Sequence, residues 1–167
     1  MFYYEIMEAF FRKRVGYLIV GGLAVNLYGI PRVTQDIDII ISMDRENILK
    51  LNETLKELDY VPRLPVNPDD LAEQDKVKEW IEEKNLTAFS FYHRIENYKV
   101  IDIVIVHPLD FDEAYQRKTI KNIGSIEVYL ASIDDLIIMK QHVSRAQDLS
   151  DVALLKKVKE WMGQEND

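Results

Sequence analysis

Three aspartates occupy positions where an acid is out of place. Asp36 and Asp38 lie two residues apart in DIDIIIS, a β-branched run too short for an ordinary helix and therefore read as a strand. Alternate strand residues share a face, so both carboxylates leave one side while Ile37, Ile39 and Ile41 leave the other, toward a core. Asp102 stands inside VIDIVIV, whose composition predicts a strand buried on both faces. An ionised carboxylate placed there costs on the order of several kcal/mol unless something pairs with it. Three such groups close together repel one another and drive at least one to protonate. A divalent cation resolves both problems. Magnesium or manganese, hard and oxygen-seeking, suits an all-aspartate ligand set and keeps water and phosphate oxygens as further ligands. Asp36 alone would be a solvated or capping group, and Asp-x-Asp alone a frequent coincidence. Asp102 is what turns the pair into a candidate metal site.

Gly21-Gly22 supplies a second component. A glycine pair where a strand enters a helix allows a sharp turn and a close ligand approach, and a helix N-terminus offers free N–H donors to a phosphate. A plain turn or packing requirement explains the pair equally well. Lys140 emerges within an apolar helix face made by Ile133, Leu136, Ile137 and Val143, so it either snorkels to water or meets an anion. Arg32 and Thr34 precede the acidic strand and could reach phosphate or serve only the loop. Asp148 and Asp151 read as the amino-terminal cap of a final helix, with Arg145 as a partner.

These groups need positioning elements. Phe2 to Arg12 is an amphipathic helix with Ile6, Phe10 and Tyr3 on one side, and Tyr17 to Val20 a strand running into the glycines. Leu23 to Tyr28 is a helix ended by Gly29 and Pro31. Ile48, Leu51, Leu55 and Leu58 mark a helix over residues 46 to 58. Pro62, Pro65 and Pro68 make a stiff loop, with a charged helix from about Asp70 to Lys84. Leu86 to Tyr92 and Lys99 to Val106 are strands joined at Glu96-Asn97, and Ile126 to Leu130 is another. Asp110 with Glu113, and Ser132 with Asp135, form capping-box pairs that open two helices, the second reaching about Arg145. A last helix from about Leu149 to Met162 carries Val152, Leu155, Val158 and Met162 on one stripe. The sum is a mixed α/β (α+β) domain, a β-sheet flanked by helices with a C-terminal helical pair. No linker divides it, so residues 1 to 167 read as one domain, with a core of about 15 to 130 and closing helices of about 132 to 162.

Composition bounds the function. The 167 residues are 47% hydrophobic and 30% charged, with no apolar run near the roughly 18 residues a membrane span requires. MFYYEIMEAFFRKR is not a secretory signal, because Glu5 and Glu8 break its apolar stretch and its basic residues come last. Cysteine is absent, which excludes disulfides and thiolate chemistry and fits a cytoplasmic protein. A formal charge of −8 argues against broad duplex DNA binding. His93, His107 and His142 lack metal-ligand spacing. Phe89, Phe91 and Tyr92 suit sheet packing better than base stacking, and Trp80 and Trp161 suit helix packing.

Taken together, YLIVGGLAVNLYGIPRVTQDIDIII, residues 17 to 41, resembles the nucleotidyltransferase superfamily whose fold is shared with DNA polymerase β. Members carry a Gly-Gly or Gly-Ser turn, then Asp-x-Asp about a dozen residues on, then a third acid on a later strand. Gly21, Gly22, Asp36, Asp38 and Asp102 match in order and spacing, with Gly22 where many members have Ser. The segment Gly29, Arg32, Thr34 and the later Lys140, Arg145, Asp148 and Asp151 resemble the small prokaryotic branch of AbiEii-type toxins. The resemblance implies transfer of NMP from an NTP to an acceptor hydroxyl, with release of pyrophosphate. It implies two Mg2+ (or Mn2+) ions held by Asp36, Asp38 and Asp102, and nucleotide contacts from Gly21, Gly22, Arg32, Thr34 and Lys140. The acceptor it leaves open as RNA, protein or a small molecule, and a toxin-like member would have an antitoxin-like partner. A non-catalytic module of the same fold that binds metal and nucleotide is the rival reading.

Overall fold

The computed structural model describes residues 2–165. Helix α1 (Phe2–Lys13) leads to β1 (Tyr17–Val20), α2 (Gly21–Leu27) and β2 (Ile37–Ile41). Then come α3 (Arg45–Glu57), β3 (Tyr60–Pro62), a 3-10 turn (Pro68–Ala72) and α4 (Gln74–Lys84). The hairpin β4 (Ala88–His93) and β5 (Val100–Val104) precedes α5 (Phe111–Gln116) and a second hairpin, β6 (Thr119–Ile123) and β7 (Ile126–Leu130). Helices α6 (Ile133–Val143) and α7 (Ala146–Glu165) end the chain. The seven strands form one mixed sheet in the order β3-β4-β5-β2-β1-β7-β6, antiparallel except where β2 pairs with β5 and β1 with β7. This is the mixed sheet flanked by helices that the sequence predicts.

One face of the sheet is made by the alternation in β1 and β2. Tyr17 and Ile19 pair with Ile41 and Ile39, so these side chains leave together into the core. Phe10 of α1 packs on Tyr17 with ring centroids 5.3 Å apart, and Ile48, Leu51 and Leu55 of α3 are buried. Trp80 of α4 stacks on Phe89 at 5.7 Å. Both capping serine and aspartate act as expected: Ser132 Oγ accepts from Asp135 N at 3.1 Å and Asp110 Oδ1 from Glu113 N at 3.0 Å.

The differences have local causes. Two edge strands lie outside the sequence reading: β3 runs into Pro62, which an edge tolerates because no partner needs its missing N–H, and β6 alternates polar and half-buried residues at the other edge. Helix α2 begins at Gly21 rather than Leu23, so the glycines are its first turn. Helix α7 is longer than expected, and the Met162 end of its stripe is solvent-exposed, as is Trp161 at 61%. Asp102 is half-exposed rather than enclosed, because the face of β5 that carries it is open. No helix among the described residues is long and apolar enough to cross a membrane.

Candidate active site

The sheet register lines the candidate groups up across neighbouring strands. Val20, the last residue of β1, pairs with Asp38 of β2, and Asp38 pairs with Asp102 of β5. Asp102 pairs in turn with Ser90 of β4, whose hydroxyl donates to Asp102 Oδ1. At the far end the Arg63 amide donates to the Ser90 carbonyl at 2.9 Å. Parallel pairing of β2 with β5 is what puts the two carboxylates on one face, and Asp36 stands at the entrance to β2.

The glycine turn is pressed against this row. Gly21 adopts φ +66°, and a Cβ there would lie 2.2 Å from Asp38 Oδ2. Both the backbone conformation and the contact therefore require glycine. A Cβ on Gly22 would sit 3.0 Å from Thr34 Oγ and 3.4 Å from Arg32 Cζ. The Arg32–Thr34 loop thus fills the space in which a serine at position 22 would place its side chain. Thr34 Oγ also donates to the Asp36 carbonyl at 3.3 Å, tying the loop to the acidic strand.

Burial, then the negative charges of Asp102 and Asp36, pushes the Asp38 carboxyl up from 3.8 to about 7. Lys140 opposes that rise and a hydrogen bond with Asp102 adds to it. Asp36 is raised too, by burial first and Asp102 second, with Arg63 acting the other way. The three acids therefore sense one another, yet among the described residues no three His, Asp or Glu side chains stand close enough together to hold one ion in their present rotamers. The donor set nonetheless fits a hard divalent cation. Two carboxylates meet in register, a third is adjacent, and the most enclosed of them is driven to take up a proton, which a metal would replace.

Lys140 is 6% exposed, and the anions it meets are protein carboxylates: Asp151 Oδ2 at 3.0 Å and Asp148 Oδ1 at 3.4 Å. Asp148 and Asp151 are each 1% exposed. Asp148 does more than cap α7. It accepts from Arg145 N and Nε, and although burial would raise its carboxyl, Arg145 and Lys140 hold it below the ordinary range. Asp151 reaches Arg32 Nη1 at 2.6 Å. One buried network thus joins α6, α7 and the loop over the glycine turn. A cavity of about 540 Å³ runs beside it, lined by Leu23, Leu27, Arg32, Thr34 and Asp36, among others. His93 and His107 accept from neighbouring backbone amides, as structural residues do.

The structure brings Gly21, Gly22, Arg32, Thr34, Asp36, Asp38, Asp102 and Lys140 to one region. Ser90 and Arg63 are additions that sequence reasoning misses, since their place depends on the β3-β4-β5 pairing. The only available signal is the Asp102 alternation, which implies a partner on the neighbouring strand.

Among proteins of curated function none matches the sequence. The chain resembles the solved structure of the lincosamide antibiotic adenylyltransferase LnuA bound to lincomycin, at 16% identity over 93% of this chain and 95% of that one, with a TM-score of 0.59. A second is ANT(2")-Ia in complex with adenylyl-2"-tobramycin, at 14% identity, 95% and 91% coverage and a TM-score of 0.57. An antigenic nucleotidyltransferase-like protein from Paracoccidioides brasiliensis matches at 19% identity, 90% and 71% coverage and 0.51. These likenesses establish the fold. Residues 5–160 match the family model described as "Nucleotidyltransferase of unknown function (DUF6036)", and the chain accordingly belongs to this nucleotidyltransferase family, enzymes that transfer a nucleotidyl group.

Proposed function

We propose that the protein is a metal-dependent nucleotidyltransferase that moves NMP from an NTP to a hydroxyl of an acceptor, with Asp36, Asp38 and Asp102 as its catalytic carboxylates. The observation that carries this is the pairing of Asp38 with Asp102, directly beside a glycine turn packed on the Asp38 carboxylate. Asp36 and Asp38 would hold one Mg2+ or Mn2+ and, with Asp102, a second. Such ions, when bound, neutralise phosphate charge and lower the pKa of a hydroxyl. The chain's own groups supply the rest. The Gly21-Gly22 amides, Thr34, Arg32 and Lys140 orient the triphosphate. Asp102, held in place by Ser90, accepts the acceptor's proton. The acceptor oxygen bonds to the α-phosphorus while the bond to the pyrophosphate oxygen breaks, and pyrophosphate leaves with that electron pair. Orientation in a fixed site accounts for much of the acceleration.

The acceptor class is RNA, protein or a small molecule. A toxin-like role restrained by an antitoxin-like partner is the branch of this reading suggested by the resemblance to AbiEii-type proteins. The test is incubation with each α-labelled NTP, magnesium or manganese, and in turn total RNA, protein and hydroxyl-bearing antibiotics. Label should move to one acceptor class in the wild type and not in Asp38→Asn or Asp102→Asn. Transfer that survives both substitutions overturns the site. Tight nucleotide binding with no transfer to any acceptor would instead support the non-catalytic module.

A further inference from the structure

The row of residues across the sheet has two different ends. At one end Gly21-Gly22, Arg32 and the C-terminal helices enclose Asp38. The other end is open. Val61 pairs with Tyr92, Ala88 with Val104 and Ser90 with Asp102, so Val61, Ser90, Tyr92 and Val104 share the face of Asp102, and all are half-exposed. Phe89 and Phe91, on the back of the same strand, are buried.

Arg63 stands on this open face, exposed, one strand beyond Ser90. It is unlike most arginines of the chain. Arg12, Arg32, Arg45, Arg94, Arg117 and Arg145 each pair with a carboxylate. Arg63 makes no ion pair among the described residues, although it lies near enough to Asp36 to counter part of that residue's burial. A guanidinium left free beside a carboxylate centre is available to an anion from outside, and its planar fork matches phosphate. The ring of Tyr92, diagonal to it across the β3-β4 pair, offers an apolar surface for a sugar or base.

We infer that Arg63 and Tyr92 form the acceptor subsite, and that it selects a hydroxyl acceptor carrying a phosphate over a neutral or cationic one. The inference deepens the proposed function and rests on it: with the triphosphate at the glycine end, the attacking hydroxyl must approach Asp102 from the β5-β4 side. The phosphate could belong to the end of an RNA strand or to a small sugar phosphate, and Arg63 would meet either in the same way.

Binding without turnover tests this. A fluorescent 5′-phosphorylated oligoribonucleotide with a free 3′-hydroxyl and, separately, ribose 5-phosphate are titrated into the full chain with magnesium, with a polycationic aminoglycoside as control. Arg63→Glu should weaken the phosphate-bearing probe that binds by about tenfold or more, with Arg63→Lys intermediate, and leave the NTP-induced melting shift unchanged. The probe that responds identifies the source of the phosphate. In transfer assays the same variant should raise KM for that acceptor more than it lowers kcat. Indifference of both probes to Arg63→Glu, no binding of either by the wild type, stronger binding of the aminoglycoside, or an equal loss of NTP binding each overturns the subsite. If the subsite inference fails by itself, NTP binding and Asp38-dependent transfer are still seen in the wild type. A wild type that neither binds NTP nor transfers label defeats the parent reading, and the subsite with it.

Discussion

The most demanding consequence of the site concerns Asp38 in the metal-free protein. Folding raises its carboxyl from 3.8 to about 7, so the folded chain holds a proton that the unfolded chain has released. Stability from that proton is fully present below the unfolded value and is lost as pH rises through the folded one. An asparagine in its place mimics the protonated acid at every pH, so Asp38→Asn should be more stable than wild type, increasingly so toward alkaline pH. Between about pH 5 and the folded value near 7, at about 1.4 kcal/mol per unit, its advantage grows by at most about 3 kcal/mol. Solvent reaching the half-buried group reduces this. For a chain of this size about 3 kcal/mol corresponds to a melting difference of roughly 6–12 °C. The assay is paired thermal or urea unfolding in chelator near pH 5 and near pH 8. Saturating magnesium should close most of that gap near pH 8, because only the wild type gains binding energy, about 2.7 kcal/mol at a hundredfold excess over Kd. An Asp38→Asn advantage that is absent, or equal at both pH values, would refute the claim that the surroundings of this carboxyl favour its protonated form.

Gly21→Ala forces a Cβ to within 2.2 Å of Asp38 Oδ2 at φ +66°, and should abolish the magnesium-dependent melting shift even where the protein folds. Gly22→Ala meets Thr34 Oγ at 3.0 Å and should cost about 1–3 kcal/mol, a loss relieved by Thr34→Gly in a double-mutant cycle on urea unfolding. Ser90→Ala frees the Asp102 carboxylate from its one hydroxyl donor and should lower kcat by about tenfold with little change in NTP binding, a split read from steady-state kinetics. Lys140→Met leaves Asp148 and Asp151 buried without their shared cation and should cost about 3–5 kcal/mol, partly restored by adding Asp151→Asn. Because Lys140 is also proposed to orient the triphosphate, NTP affinity should stay low in that double variant although its stability returns.

Legibility in the sequence follows the range of the interactions. The face shared by Asp36 and Asp38 can be read from two residues, because strand parity is local. Hydrophobic spacing is equally sufficient for α1, α3 and α6. Strands β3 and β6 escape because they are edges: half of each faces water, so neither Pro62 nor the polar alternation of Thr119–Ile123 looks like a buried strand. Trp161 and Met162 mislead in the other direction, because the apolar spacing of α7 continues into its solvent-exposed end. Asp148 and Asp151 resemble an ordinary cap, since local sequence cannot reveal that Lys140 and Arg32 converge on them.

Chain connectivity explains why one half of the site has a compact sequence signature and the other has none. Strand β1 ends at Val20 and β2 begins at Ile37 as its antiparallel neighbour, so whatever lies between must leave and return at the same end of the sheet. The glycine turn and the acidic pair are thus bound to meet, and their spacing survives as a motif. Residues 30 to 36 close that excursion back over Gly22, where Arg32 and Thr34 fill the space a larger residue would need. Asp102 reaches β2 only after α3, β3, α4 and β4, and nothing local records which strand it will join. What betrays it is a violation: an acid in an isoleucine and valine strand that packing alone would replace. The same logic applies to Lys140, whose buried charge is stable only because two carboxylates from the next helix meet it. Groups placed against the demands of packing mark the candidate site in this chain, and the sheet order then shows which of them lie side by side.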